Sequence, residues 1–153
     1  MHLVSPSPSV ALVSNFNDLV TTRYQGTVNA LCWERDLIGD FKEIVNCLTL
    51  QDHVTEVSAE DLSVLNLSLQ GDLARQIILQ DLQQLTQIGA APVLNLIQCY
   101  ARDDELDFIA TDVYSYHVDR SPIATDTFLC TYHGAASDIL PNAQVQQKIL
   151  IPS

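Results

Sequence analysis

Gly71-Asp72-Leu73-Ala74-Arg75-Gln76-Ile77-Ile78-Leu79-Gln80-Asp81-Leu82-Gln83-Gln84-Leu85-Thr86-Gln87-Ile88-Gly89-Ala90-Ala91-Pro92 is the stretch across which the chain changes its grammar. Its apolar stripe (Leu73, Ile77, Ile78, Leu82, Leu85 and Ile88) recurs at helical spacing. Gly89 is a stop signal, because glycine enters the left-handed conformation that closes a helix without a Cβ penalty. Gln76, Gln80, Gln83, Gln84, Gln87 and Asp81 fall opposite the stripe and read as a solvated face, not a site. After Pro92 the pattern turns strand-like. Residues 93–100 and 106–116 are rich in β-branched, aromatic and leucine side chains, and Arg102-Asp103-Asp104-Glu105 between them reads as the polar turn of an antiparallel pair. Residues 127–132 and 144–151 read as a third and a fourth strand.

Upstream, Leu37, Ile38, Phe41, Ile44, Val45 and Leu48 predict an amphipathic helix from Asp36, with Asp40, Lys42, Glu43 and Asn46 on its wet side. Ser58-Ala59-Glu60-Asp61 resembles a capping box, with Asp in place of the usual Glu, that opens a short helix or turn. Residues 51–56 read as a polar loop and residues 10–13 as a short strand. Residues 28–33 form a second apolar run, and Ser5-Pro6-Ser7-Pro8-Ser9 is an extended lead-in. The expectation is one α+β domain over 1–153, with 1–9 as lead-in, 28–90 mainly helical and 91–153 mainly strands. Its N-terminal helices would pack on a C-terminal antiparallel sheet, and a reduced double-stranded β-helix (cupin-like) is one form such a sheet can take.

The 153 residues are 47% hydrophobic and 17% charged, which is ordinary for a globular domain. Seven Lys and Arg against 19 Asp and Glu give a net charge of −12. That charge argues against nucleic acid and against anionic lipid surfaces as partners. No run approaches the length of a membrane span, and the N-terminus lacks a signal-peptide pattern, so a cytoplasmic location is expected. Cys32, Cys47, Cys99 and Cys130 form no Cys-x-x-Cys pair and read as reduced, buried small hydrophobes.

The segment with chemical potential is Tyr114-Ser115-Tyr116-His117-Val118-Asp119-Arg120. On a strand, His117 and Asp119 would share a face. A His-x-Asp pair in that geometry supplies two of the three ligands of a facial triad for Fe(II), Mn(II) or Zn(II). His133, in Tyr132-His133-Gly134, is the candidate third ligand, while His53 could approach only through tertiary folding. Arg120 is the candidate to orient an anionic small molecule. The alternative is structural: His117 donates to Asp119 or to a backbone carbonyl, and His133 is a turn residue before Gly134. A complete Fe(II)/2-oxoglutarate oxygenase fits poorly, because too little chain follows Asp119 to supply a distal His and a co-substrate Arg. Either the chain lacks that chemistry, or it is shortened relative to a longer ancestor. Phosphate-loop, dinucleotide and Gly-x-Ser-x-Gly motifs are missing. A Cys130/His133 nucleophilic couple would face opposite ways on a strand, and the Asp103-Asp104-Glu105-Asp107 cluster lacks calcium-loop spacing.

Two stretches resemble a bacterial family, the domain-of-unknown-function 1826 family. Asn29-Ala30-Leu31-Cys32-Trp33-Glu34-Arg35 is similar to its Asn-x-x-x-Trp-x-Arg signature. Tyr116-His117-Val118-Asp119 and the later Thr131-Tyr132-His133-Gly134-Ala135-Ala136-Ser137-Asp138-Ile139-Leu140 resemble its aromatic-His-Val-Asp and Thr-Tyr-x-Gly-x-Gly-Thr-Glu-Trp-Leu segments. The chain departs from the pattern in several places. It has Val113-Tyr114-Ser115 where the family carries Cys-Pro, and Ala136, Asp138 and Ile139 replace Gly, Glu and Trp. It is also a few residues longer between Asp119 and Thr131-Tyr132. The resemblance implies a metal-related role, since family members are often found beside zinc-homeostasis genes. It carries over His117 and Asp119 as site candidates and Trp33 and Arg35 as supporting positions. The functional expectation is a divalent-metal site, Fe(II) or Zn(II), with oxygenase-like or metal-homeostasis chemistry on a small molecule. The rival expectation is a non-catalytic module in which the pair is structural and the Gln-rich helix or the acidic surface contacts a protein partner.

Overall fold

The computed structural model describes residues 9–102, 113–117 and 122–145. The chain forms two compact units, residues 1–36 with 137–153 and residues 37–136.

In the first unit, β1 (Val10–Val13) pairs in parallel with β2 (Ala30–Trp33), Val10 opposite Ala30 and Val13 opposite Trp33. The connection carries α1 (Phe16–Thr21), because parallel strands need a crossover. Asn15 caps that helix, its side chain accepting from the Asp18 N–H at 2.9 Å. Ser9, read from sequence as solvated lead-in, is buried. Its carbonyl accepts from the N–H groups of Asn29 and Ala30 and so starts the ladder. A short 3-10 turn, Asn142–Gln144, lies where the last expected strand was to begin; the rest of that strand, 146–151, falls outside the described residues.

The second unit runs α2 (Phe41–Cys47), β3 (Val54–Glu56), α3 (Ala59–Ser63), α4 (Leu69–Gln87) and β4 (Asn95–Ile97). Its core is Phe41, Ile44, Val57, Leu62, Ala74 and Ile78, with Leu94, Leu96 and Tyr132 packed against it. Helices thus pack on a small antiparallel pair, which bears out the α+β class at that level. The pair is β3 on β4, with Thr55 opposite Leu96, extended at its ends by Val57 N–H to the Leu94 carbonyl and Gln98 N–H to the His53 carbonyl. Residues 54–56 are therefore strand, not loop. The described strands do not form a double-stranded β-helix.

Two helix starts were misplaced by periodicity. α2 begins at Phe41, not at Asp36, because Gly39 sits at φ +111° and the Asp40 carboxylate accepts from the Glu43 N–H at 3.0 Å. Leu37 still reaches the core, whereas Ile38 is 63% exposed. α4 begins two residues before Gly71, capped by Ser68. It ends as expected at Gly89 (φ +86°). Gly89 N–H bonds the Thr86 carbonyl and Ala90 N–H the Leu85 carbonyl, the paired bonds of a Schellman end. The capping box at Ser58 and Asp61 also forms, and the Ser58 backbone N–H and hydroxyl hold Asp61 below the usual carboxylate range.

α2 and α4 are joined at their starts. The Ser68 N–H and hydroxyl both donate to the Glu43 carboxylate, at 2.7 and 2.5 Å. Asp40 N–H donates to the Gln70 carbonyl at 2.9 Å. Gly39 lies so close to α4 that a Cβ there would stand 2.6 Å from the Ala74 nitrogen and 2.8 Å from the Gln70 oxygen. Arg75 then ties α3 to α4. It donates to the carbonyls of Leu62, Ser63 and Leu65 at 3.1, 3.3 and 3.2 Å and pairs with Asp72. The Ser63 carbonyl is among the groups that a helix end leaves unsatisfied, and Leu65 lies two residues past the end of α3.

Gly39 and Gly89 separate strain from crowding. Both have positive φ, but a Cβ at Gly89 meets open space. Gly89→Ala is expected to cost about 1 kcal/mol from backbone strain alone. Gly39→Ala adds a backbone clash and is expected to cost about 3 kcal/mol or more. Urea unfolding reads both as midpoint shifts at unchanged slope.

Candidate functional site

His117 lies just after a turn at 113–115 that takes the place of the expected strand end. Tyr114 holds that turn against the chain leaving β4. Its hydroxyl accepts from the Tyr100 N–H at 3.0 Å, the two rings meet edge to face at 6.2 Å, and the Arg102 guanidinium lies 4.3 Å above the Tyr114 ring. His117 is exposed, and its Nδ1 stands 2.6 Å from the Ser115 carbonyl oxygen. A carbonyl can only accept, so Nδ1 is the donor, and in the neutral ring this tautomer leaves the lone pair on Nε2. This is the carbonyl partner anticipated as one alternative for His117. Asp119 and Arg120 lie outside the described residues, as do 106–112 of the expected second strand and the acidic cluster at 103–107.

His133 is exposed and is followed by Gly134 at φ +93°. Its position comes from its neighbour. The Tyr132 ring stacks on Phe41 (5.5 Å between centroids, 14° between planes), and its hydroxyl donates to Asp81 at 2.8 Å. Asp81 is thus a docking point and not merely part of a solvated face. Residues 127–132 form no strand; Leu129 is 76% exposed, and Tyr132, not a sheet ladder, fixes the segment. Burial pushes the Tyr132 phenol well above its ordinary range, and the charge of Cys130 and the bond to Asp81 push the same way.

Among the described residues, no group of three or more His, Cys, Asp or Glu is gathered to hold a metal ion. The cysteines are free thiols, but Cys47 and Cys130 are exposed and Cys32 and Cys99 only half-buried, so they are not core hydrophobes. Cys47 is the last residue of the short α2, and Cys130 lies on the strandless segment. Burial and the Glu34 charge raise the Cys32 thiol pKa. Trp33 is half-buried, its ring 6.5 Å from that of Phe16, and the Arg35 guanidinium lies 4.5 Å above it. Both support the first unit's sheet.

One arrangement escaped the reading of the sequence. The β3–β4 pairing brings His53 to Cys99, with Nδ1 and Sγ 3.3 Å apart, at the edge of a shallow hollow of about 220 Å³ lined by Leu50, Gln51, Asp52, His53 and Gln98. The only signal for it was Val54-Thr55-Glu56-Val57, too short an alternation to mark a strand.

These features define a mixed α+β protein in which His117 rides on a turn held by Tyr114 against the chain after β4, and His133 on an irregular segment held by Tyr132 against the helical core. The chain belongs to the family described as "Protein of unknown function (DUF1826)", whose profile matches residues 14–152. Comparison with curated proteins and with solved structures returned no match. No helix among the described residues is long and apolar enough to cross a membrane.

Tyr132→Phe is expected to cost about 1 kcal/mol at neutral pH through the bond lost to Asp81. A raised folded-state pKa means that the Tyr132 contribution is full below about pH 10, the ordinary tyrosine value, and is lost as pH rises beyond it. Urea midpoints at pH 8 and at about pH 11 should therefore fall less in Tyr132→Phe than in the parent.

Proposed function

We propose that this protein binds a divalent metal ion, Fe(II) or Zn(II), through His117 and Asp119, with His133 as third ligand. In this reading it is a cytoplasmic protein of metal handling or oxygenase-like chemistry. Arg120 would orient an anionic small molecule. Neither nucleic acid nor a membrane is a partner, and a cupin-like sheet would complete the single domain. The observation that supports the reading is the His117 bond to the Ser115 carbonyl. Metal-bound imidazoles characteristically donate their second ring nitrogen to a carbonyl or carboxylate, which fixes the tautomer and raises ligand basicity. Imidazole and carboxylate are donors suited to such ions, and the metal would supply Lewis acidity to a bound small molecule.

A second reading, a protein-interaction module, is favoured by the exposure of Val64, just after α3, at 79% and of Leu69, the first residue of α4, at 77%. The exposed Gln76, Gln80, Gln83 and Gln87 lie on α4 itself. Large apolar side chains left in water are what a partner surface would cover.

Elemental analysis separates the two. After anaerobic loading with Fe(II) or Zn(II) and desalting, the parent should retain about one ion per chain and His117→Ala should retain only traces. Equal traces in both would remove the metal reading and leave the interaction module.

A further inference from the structure

Outside the His117 segment, the pairing of β3 with β4 brings the Cys99 thiol against the His53 imidazole. We propose that Cys99 and His53 form a thiol–imidazole couple, the site at which this protein undergoes thiol–disulfide exchange with small neutral or cationic disulfides. A sulfur and an imidazole nitrogen 3.3 Å apart are within reach for proton transfer, the requirement for activating a thiol beside a base.

His53 is held in place rather than encountering Cys99 by chance. Its backbone N–H donates to the Asp52 carboxylate at 2.7 Å, and its carbonyl accepts from the backbone N–H of Gln98, the neighbour of Cys99, at 2.9 Å. The buried Thr55 hydroxyl accepts from the N–H groups of Gln51 and Asp52 at 2.9 and 3.2 Å, which fixes the loop behind the imidazole. Cys99 is half-buried, which suits a thiol that must be reached but also positioned. His53 opens on the hollow, whose walls offer the amides of Gln51 and Gln98 and the carboxylate of Asp52.

In the exchange, the Cys99 thiol proton passes to His53 Nδ1. The sulfur attacks one sulfur of the incoming disulfide, and the old S–S bond breaks as the new one forms. The departing thiolate then takes the proton from His53. The disulfide is the oxidant: Cys99 ends as a mixed disulfide and one equivalent of free thiol leaves. The Asp52 carboxylate and the −12 net charge repel anionic disulfides and favour cationic ones.

The test uses the full chain, fully reduced, with limiting cystamine at neutral pH, acid quenching and peptide mass spectrometry to read each cysteine. Cys99 is expected to acquire the adduct about 10-fold faster than Cys47 and Cys130, although both of these are exposed. His53→Gln should slow Cys99 about 10-fold and leave Cys47 and Cys130 at parent rates, and a urea midpoint equal to the parent's reports an intact fold. Replacing cystamine by oxidised glutathione should slow the reaction at low salt, with the gap narrowing at about 0.5 M salt. The proposal is overturned if Cys99 reacts no faster than Cys47 or Cys130 in the parent, a comparison that needs no variant. It is equally overturned if His53→Gln leaves the Cys99 rate unchanged. A faster reaction with the anionic disulfide overturns the charge preference.

Discussion

The second unit depends on how closely α2 can approach the first turn of α4. Glu43 reaches across to the Ser68 N–H and hydroxyl, Asp40 N–H bonds the Gln70 carbonyl, and Gly39 passes so near Ala74 that no side chain fits. The contact serves two purposes. It places a carboxylate at a helix N-terminus, where N–H groups lack partners and the helix dipole favours negative charge. It also brings Phe41 and Ile44 onto Ala74 and Ile78, which makes the core. Leu62, with no exposed surface, is brought to the same core by Arg75, which gathers the carbonyls at the end of α3. The remaining elements attach to this helical assembly: β3 and β4 through Val57, Leu94 and Leu96, and the late segment through Tyr132.

Where a signal is local, the sequence carried it. The Ser58–Asp61 capping box and the Gly89 stop each depend on residues a few positions apart, and each is found. Of the α4 stripe, Ile77, Ile78 and Leu82 reach the core, whereas Ile88 is 44% exposed and Ala74, outside the stripe, is fully buried. Failures came where tertiary contact overrules periodicity. Leu37 and Ile38 continue the helical stripe, yet the near approach of Gly39 to α4 and the Asp40 cap start α2 later. Residues 127–132 have strand composition, but a ladder needs a partner strand, and what they have instead is one aromatic anchor. The three residues of β3 are too few to show alternation.

The site was legible in part, for a related reason. Residue types and an i, i+2 spacing mark His117 and Asp119 as chemistry worth considering. The proton on His117 Nδ1 depends on a turn that puts the Ser115 carbonyl within 2.6 Å, and no spacing rule announces that turn. His53 and Cys99 stand 46 positions apart and meet only because two three-residue strands pair in one register. Such a juxtaposition follows from register, and a one-residue slip would turn the alternate side chains to the other face.

Tyr132 has a consequence for how chain length can vary within the family. Its hydroxyl reaches Asp81 across 51 positions, so it closes a long loop that begins in α4 and returns to it. The entropy of closing such a loop grows only as the logarithm of its length, and even a doubling costs about 0.6 kcal/mol. Insertions between the end of β4 and Tyr132 are therefore cheap, provided that the phenol and its stack on Phe41 remain.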